Sequence, residues 1–324
     1  MNKLYDLEKM DGAFYLGTLN GSTTELNFIH GYADLDYTIK VDSNSTFRLA
    51  SLSKSFTAFA TIKLCEQYDI SLESDFGKII HAPLLQDISI LDLLQHKSGL
   101  TNDYLAISDK KIQKFNNDQL ISAYKNQYLQ KGIGIGADRP FKYQNINYVL
   151  LTSLFPLLAN STFEKYLQEL LVKYGLTQTA TVNNLTSGNQ LVSAYESFLG
   201  GKHQSIRANR FDQIVGDGGV ISNITDLKKW GQIWSKEILS NQIISKTINE
   251  VYVSPTLNYQ FGWVFEKDSF WHNGSWNGFN TFMLVDHQNS KTLIVLDHSN
   301  NPRFNSIIKN TLRFLNIKIA AYGT

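Results

Sequence analysis

The spacing of apolar residues changes along this chain from strand-like to helical and back to strand-like. Near the N-terminus, residues 13–19 and 24–30 have an extended pattern, and Asn20-Gly21 between them is typical of a hairpin turn. The last third of the chain favours strands and a closing amphipathic helix, at 259–266, 270–273, 278–285, 291–297 and 305–315. The pattern therefore predicts one sheet that both ends of the chain share, with a mostly helical part inserted between them.

The middle of the chain consists mostly of short helical segments and loops. Helical spacing predicts helices at 51–68, 90–94, 146–158, 163–174 and 227–234. Gly175 suits a helix C-terminus, residues 224–226 suit a cap of the last helix, and the glycines in 131–136 suit a flexible connection. In 259–266 the aromatic residues alternate, which predicts a single strand with one aromatic face. We expect a single domain of mixed α/β (α+β) class over 1–324, with a sheet subdomain at about 1–70 and 200–324 and a helical subdomain at about 71–199.

Composition and charge narrow the function classes. Apolar residues make up 43% and charged residues 18% of the 324 residues, as in an ordinary globular protein. Because 30 basic residues nearly balance 29 acidic ones, nucleic acid is not an expected partner. The single cysteine, Cys65, is expected in the core. No secretory leader or transmembrane segment is visible, which predicts a cytoplasmic protein as written, or a periplasmic or extracellular one if a leader was trimmed.

Candidate chemistry begins at Ser51, where an extended run ending at Ala50 gives way to helical spacing. Lys54 follows one helical turn later on the same face, so its amine could reach the serine hydroxyl. A helix N-terminus offers free N–H groups, and a lysine buried beside polar groups can act as a base. The alternative is an ordinary serine N-cap, because Ser-x-x-Lys spacing recurs where nothing else suggests chemistry, at Ser108/Lys111, Ser122/Lys125 and Ser306/Lys309.

Three separated motifs together resemble the serine β-lactamase-like superfamily, in the branch of class C β-lactamases, D-alanyl-D-alanine carboxypeptidases and related esterases. They are Ser51-Leu52-Ser53-Lys54, Tyr143-Gln144-Asn145 and His272-Asn273-Gly274 followed by Ser275. Supporting stretches lie at 93–100, 218–222 and 259–263, so the resemblance covers about residues 12–315. It implies a β-lactamase/transpeptidase-like fold, with an antiparallel sheet flanked by helices and a mostly helical inserted subdomain.

The resemblance also implies roles for individual residues. Ser51 would be the nucleophile, Lys54 its partner and Tyr143 a second acid–base group. Whether Lys54 or Tyr143 takes the serine proton stays open, because the two would titrate as a coupled pair. Asn145 would orient Lys54 and the substrate, and the N–H groups of Ser51 and Ser275 would form the oxyanion hole.

Two residues of the third motif carry further expectations. Gly274 would allow a close approach of the strand to the substrate, whereas His272 departs from the family pattern, which commonly has Lys-Thr-Gly where this chain has His-Asn-Gly. A permanent cation is thereby replaced by a group that is neutral over much of the physiological range. This change weakens the case for efficient penicillin hydrolysis.

The resulting hypothesis is a serine hydrolase that acts on a β-lactam, a D-amino-acid peptide or an ester. The alternative is a non-catalytic or slowly turning over acyl-binding, penicillin-binding or sensory module on the same fold. His96, in a His-Lys-Ser-Gly-Leu segment, is interpreted as structural rather than catalytic. Since no histidine has a metal-ligand spacing, neither a metal nor an organic cofactor is expected, and the expected partner is a small-molecule or peptide substrate. The sequence leaves the oligomeric state open.

Overall fold

The computed structural model of the chain describes residues 7, 10–34, 36, 38–108, 112–130, 139–186, 188–197, 203–241, 244–245, 258–266 and 269–323. The described strands are β1 Gly12–Thr18, β2 Thr24–His30, β3 Ser45–Arg48, β4 Ala180–Thr181, β5 Gln190–Leu191, β6 Tyr195–Ser197, β7 His203–Ser205, β8 Val220–Ser222, β9 Asn258–Gln260, β10 Trp263–Glu266, β11 Ser269–Trp276, β12 Phe279–Asp286 and β13 Lys291–Asp297. The described helices are α1 Ser53–Gln67, α2 Phe76–Ile79, α3 Ile90–Leu94, α4 Asn117–Tyr124, α5 Ile146–Leu151, α6 Leu154–Ala159, α7 Phe163–Lys173, α8 Ile224–Ser240 and α9 Phe304–Phe314.

The main sheet is antiparallel and joins the two ends of the chain. Its described strands run in the order β2-β1-β13-β12-β11-β10-β9. The N-terminal strand β1 pairs with β13 from Gly12 opposite Asp297 to Thr18 opposite Lys291. The prediction of a sheet shared by both ends, with helices between them in sequence, is therefore confirmed.

A smaller sheet, in the order β4-β8-β3-β5, carries the segment that leads to Ser51. β3 pairs antiparallel with β8 and parallel with β5. Three of the short strands, β4, β5 and β6, lie within the part of the chain that we expected to be mostly helical. The division into two subdomains stays a prediction.

Helix α1 lies at the centre of the molecule. Its apolar stripe is present, but polar residues on its other faces are buried too, including Lys54, Thr57 and Thr61. Phe56 stacks on Trp230 of α8 with ring centroids 4.0 Å apart, and the Trp230 indole N–H donates to Ser55 Oγ at 3.0 Å. Cys65 is buried in this helix, as expected, and burial raises the pKa of its thiol to about 12.

Two helix predictions need correction. The apolar run 146–158 forms two helices rather than one, because Pro156 lacks an N–H and its ring would clash with the carbonyl of Thr152 in a continuous helix. The helix predicted at 227–234 begins earlier, at Ile224, and its cap is Asn223, whose side chain accepts the N–H of Asp226 at 2.9 Å. By contrast, the predicted helix ending before Gly175 is confirmed, with α7 ending at Lys173.

The single strand predicted at 259–266 is wrong, since this stretch is a hairpin. Phe261 and Gly262 both have positive φ, +54° and +77°, and form the two-residue turn between β9 and β10. A Cβ on Gly262 would lie 2.4 Å from Ser55 N, so the turn packs directly against the start of α1. The alternating aromatics thus belong to two strands and a turn, and the hairpin buttresses the helix that carries Lys54.

No single helix among the described residues is long and apolar enough to cross a membrane. By length and composition alone, the pair formed by residues 146–159 and 163–173 passes the same test across an 83° bend. The glycine-containing connection predicted at 131–136 lies outside the described residues.

Candidate active site

Ser51 lies in a tight 3₁₀ turn, Ala50–Leu52, between β3 and α1. The helix therefore begins two residues later than predicted, and Leu52, not Ser51, occupies its N-cap position. Ala50 adopts a left-handed conformation, with φ +49°, which is unfavourable for a residue with a Cβ. The turn is fixed from both sheets, since Leu49 N–H donates to Val220 O at 2.9 Å and Thr281 Oγ1 donates to Leu49 O at 2.8 Å.

Lys54 is fully buried directly beside Ser51. Its Nζ lies 3.2 Å from Ser51 Oγ, 2.8 Å from Asn145 Oδ1 and 2.9 Å from the backbone oxygen of Asp217. Two of these three partners are carbonyl oxygens, which can only accept hydrogen bonds. The amine is therefore held in a fixed orientation against the serine hydroxyl.

Asn145 and Tyr143 arrive from the segment that leads into α5. Asn145 N–H donates to Asp103 Oδ2 at 2.7 Å, which anchors the start of this helix. The Tyr143 ring lies beside Lys54, whose Nζ is 4.9 Å from the ring centroid, and its side chain is 38% exposed. This loop thus brings a partly exposed tyrosine ring next to the buried amine.

His96 supports Tyr143 from behind, and its structural interpretation stays a prediction. The two rings lie 4.4 Å apart between centroids, and His96 is buried. Its Nδ1 accepts the N–H of Gln144 at 3.2 Å and lies 3.0 Å from Asn147 Nδ2, so the ring proton belongs on Nε2. Burial, with the nearby charge of Lys54, holds the pKa of His96 well below its usual range.

β11 carries the third motif along the opposite side of Ser51. His272 is buried, and its Nδ1–H donates to the backbone oxygen of Asn273, which leaves Nε2 to accept the Tyr259 hydroxyl at 3.1 Å. Burial, followed by the charge of Lys54, lowers the pKa of His272 to about 3. This imidazole is therefore neutral at physiological pH.

Gly274 is required for the close approach of β11 to the serine turn. A Cβ at this position would lie 2.4 Å from Leu49 O and 2.9 Å from Ser51 N, and only a glycine leaves that space free. Ser275 follows on the same strand and lines the same pocket as Ser51. Gly274 thus admits the backbone of the serine turn, and its expected approach to the substrate stays a prediction.

Beneath Lys54 lies a carboxyl group that sequence reasoning missed. Asp217 is buried, and its Oδ2 accepts the Tyr104 hydroxyl at 2.7 Å. Burial raises the pKa of this carboxyl to about 6, although the charge of Lys54 and the Tyr104 hydrogen bond act in the opposite direction. Its only sequence signal was its place in a Gly-Asp-Gly-Gly turn.

A pocket of about 260 Å³ opens beside Ser51. Apolar, hydroxyl, amide and charged side chains line it together with backbone atoms. The lining residues are Arg48, Ala50, Ser51, Tyr104, Leu105, Asn145, Phe211, Asp212, Ile214, Asp217, Gly218, Gly219, Ser275 and Trp276. Among the described residues, Tyr143 and His272 do not line it. Sequence reasoning also missed Arg48, which was visible only as a charge in the extended run before Ser51.

The sequence-predicted site residues thus fall into one cluster around Ser51, from three distant parts of the chain: Lys54, Tyr143, Asn145, His272, Gly274 and Ser275. Within the part of the chain that the structure describes, no group of three or more His, Cys, Asp or Glu side chains could hold a metal ion.

A sequence model of the family described as beta-lactamase matches residues 6–316 of this chain. A penicillin-binding protein of Bacillus subtilis (strain 168) is 27% identical over 301 residues, which cover 83% of this chain and 64% of that protein. Protein flp of Staphylococcus aureus (strain MRSA252) is 26% identical over 321 residues, covering 91% and 61%. The chain therefore spans less than two thirds of the length of these curated relatives.

Among solved structures, a penicillin-binding protein from Bacillus halodurans superposes with a TM-score of 0.77 at 17% identity, covering 97% of this chain and 99% of that one. At this level of identity the likeness shows a common fold.

Proposed function

Because the chain belongs to the beta-lactamase family, we propose that it is a serine hydrolase that forms an acyl-enzyme on Ser51. The observation that carries this proposal is the placement of Lys54 Nζ, 3.2 Å from Ser51 Oγ and held there by two carbonyl acceptors. A buried amine in hydrogen-bond reach of a serine hydroxyl is the arrangement that nucleophilic catalysis requires.

Lys54 is the better-placed base in this proposal. When the amine carries two hydrogens, Asn145 Oδ1 and Asp217 O accept them, so that its lone pair faces the Ser51 hydroxyl. The Ser51 proton moves to Nζ as Oγ bonds to the substrate carbonyl carbon. Tyr143, beside Lys54 and partly exposed, then relays a proton to the leaving group. The bond from the carbonyl carbon to that group breaks as the acyl-enzyme forms.

The carbonyl oxygen becomes negatively charged in this step. We assign its stabilisation to the backbone N–H groups of Ser51 and Ser275, since β11 lies against the serine turn at Gly274. Hydrolysis repeats the step with water as the nucleophile, and Ser51 recovers its proton.

The absence of charge on His272, in the third motif, guides our proposal for the class of substrate. His272, with a pKa of about 3, supplies no cation for a carboxylate on the leaving-group side. We therefore propose esters, or peptides and amides of D-amino acids, rather than β-lactams, as substrates. A D-amino acid amidase from Ochrobactrum anthropi SV3 shares the fold, with a TM-score of 0.76 at 17% identity, covering 97% of each chain.

Hydrolysis of p-nitrophenyl acyl esters tests the proposal. We expect Ser51→Ala to lower kcat/KM by about 10³-fold or more, and Lys54→Met by about 10²–10⁴-fold. Ser306→Ala is the matched control, because Ser306 has the same spacing to Lys309 but lies on α9, outside the cluster around Ser51. A Ser51→Ala protein that retains the wild-type rate contradicts the proposal. A wild type that acylates but never releases product supports the binding-module alternative.

A further inference from the structure

We propose that Arg48 makes the pocket beside Ser51 a binding site for an anionic acyl group, so that preferred substrates carry a carboxylate in the acyl part. This proposal rests on the proposed hydrolase function. It concerns the half of the substrate that stays on Ser51, whereas the third motif concerns the leaving group.

The pocket lies on the acyl side of the reacting bond. Ser51, Ser275 and Asn145 line it, whereas Tyr143 and His272 do not. Tyr143 lies next to Lys54 with its side chain partly exposed, so the leaving group that receives the proton belongs on the Tyr143 side. The group that remains bonded to the carbonyl carbon therefore points into the pocket.

Arg48 lines this pocket, and toward the described residues most of its hydrogen-bonding capacity is unused. Its side chain is half-buried, and its one hydrogen bond to a described residue runs from Nη1 to the backbone oxygen of Asp212 at 3.0 Å. No carboxylate of a described residue lies within ion-pair distance of it. A guanidinium has five N–H donors, and a partly desolvated cation without a partner is unfavourable. Burial lowers the pKa of Arg48, although the charge of Asp212 acts in the opposite direction.

Asp212, whose charge acts on Arg48, already accepts hydrogen bonds from other donors. It accepts the Trp276 indole N–H at 2.7 Å, the Asn277 amide at 2.9 Å and the Asn209 backbone N–H at 2.6 Å. Asp212 therefore ties the end of β11 to the pocket wall and steadies the arginine through its backbone oxygen. As far as the described residues go, the guanidinium therefore keeps donors for a ligand.

Asp217 is the competing charge in the pocket, and it would favour a cationic ligand. Its Oδ2 is taken by Tyr104, and its Oδ1 is enclosed with no accessible surface, so a ligand cannot reach it directly. The charge of Lys54 also acts on it. Asp212 also lines the pocket, but its two oxygens already accept three hydrogen bonds. Among the charged side chains of the lining, Arg48 is thus the one that, toward the described residues, keeps N–H donors for a ligand, and the pocket favours an anion.

The rest of the lining suits a short carbon chain that ends in a carboxylate. Leu105, Phe211 and Ile214 contribute apolar surface to the pocket that Ser51 and the arginine also line. The planar guanidinium can donate two parallel hydrogen bonds to a carboxylate, a geometry that lysine cannot reproduce.

Three p-nitrophenyl esters of similar length test the proposal: the neutral valerate, the anionic hydrogen glutarate and the cationic 4-(trimethylammonio)butyrate. We expect wild type to prefer the glutarate ester over the valerate ester by about 10-fold or more in kcat/KM. Arg48→Gln should lower this ratio by about 10- to 100-fold, and Arg48→Lys should retain part of it.

The ratio separates recognition from folding, because a partly unfolded variant loses activity on all three esters alike. Arg313→Gln, on the exposed face of α9, is the matched control and should leave the ratio unchanged. A wild-type preference for the neutral or cationic ester, or a ratio that Arg48→Gln leaves unchanged, overturns the proposal. If wild type hydrolyses none of the three esters, the hydrolase function itself fails and this proposal fails with it.

Discussion

At the scale of single residues, the site encloses charges that would be better hydrated outside it. Asp217 is the clearest case, because burial raises the pKa of its carboxyl to about 6 despite the nearby Lys54. In the unfolded chain the pKa of the same carboxyl is about 3.9. The folded state therefore favours the protonated carboxyl, and ionised Asp217 destabilises the fold at neutral pH.

The variant Asp217→Asn tests whether the buried charge of Asp217 destabilises the fold. The amide can still accept the Tyr104 hydrogen bond but carries no charge, so we expect the variant to be more stable than wild type at pH 8, by up to about 3 kcal/mol. The difference should shrink as the pH falls below about 6 and drop to about 0.5 kcal/mol near pH 4, since it is lost fully only below the unfolded-state pKa. Denaturant unfolding of both proteins between pH 4 and 8 measures it, and a pH-independent difference would contradict the assignment.

Local spacing revealed some of these residues and could not reveal others. Ser51 and Lys54 are one helical turn apart, so a short pattern contains their contact. Arg48 lies close to Ser51 in sequence. Its lack of an ion pair with Asp212, however, goes with hydrogen bonds that Asp212 accepts from the distant residues Trp276 and Asn277. The contact between Lys54 and Asp217 spans 163 positions, and no local rule places those two groups together.

At the scale of elements, the site depends on the contact between β11 and the serine turn. Gly274 lies at that contact, where a Cβ would lie 2.4 Å from Leu49 O and 2.6 Å from Thr281 Oγ1. Thr281 in turn donates to Leu49 O, so strand and turn are held in one register. The proposed oxyanion donors on Ser51 and Ser275 share this register.

Gly274→Ala should separate the two oxyanion donors, because the added methyl group pushes β11 away from the serine turn. We expect kcat for ester hydrolysis to fall by about 10²–10³-fold, the usual effect of losing one such donor. Gly188→Ala is the control, since a Cβ there meets only Thr186 Oγ1 at 3.7 Å. Steady-state kinetics with a thermal unfolding curve for each variant checks the expectation, and a Gly274→Ala enzyme with the wild-type kcat would rule out this role for the contact.

Element boundaries were less predictable than element types. The run 146–158 was correctly predicted to be helical, but Pro156 divides it into two helices. The spacing of apolar residues does not reveal this break, because it is independent of the missing N–H of proline. The 259–266 stretch was correctly extended, but its turn at Phe261 lacks the Asn-Gly signature that marked the first hairpin. Packing of Gly262 against α1 favours this turn, and that packing is a tertiary effect.

At the scale of the whole molecule, the site forms where the two ends of the chain enclose its middle. β1 and β13 close the sheet, β11 supplies the third motif, and the α5 segment brings Tyr143 and Asn145. The order of strands and helices along the chain was enough to predict a shared antiparallel sheet. The smaller sheet with β3 and β8 was not predicted, because strands of two to four residues carry almost no periodic signal.

The central claim is that Ser51 is an activated nucleophile, and covalent labelling tests it most directly. We would measure intact masses of wild type, Ser51→Ala and Ser306→Ala after brief exposure to a fluorophosphonate, and then map the adduct by peptide digestion. The account predicts one adduct per chain on wild type and on Ser306→Ala, located at Ser51, and none on Ser51→Ala. A wild type that takes up no label, or a Ser51→Ala protein that is labelled as fast as wild type, would contradict it.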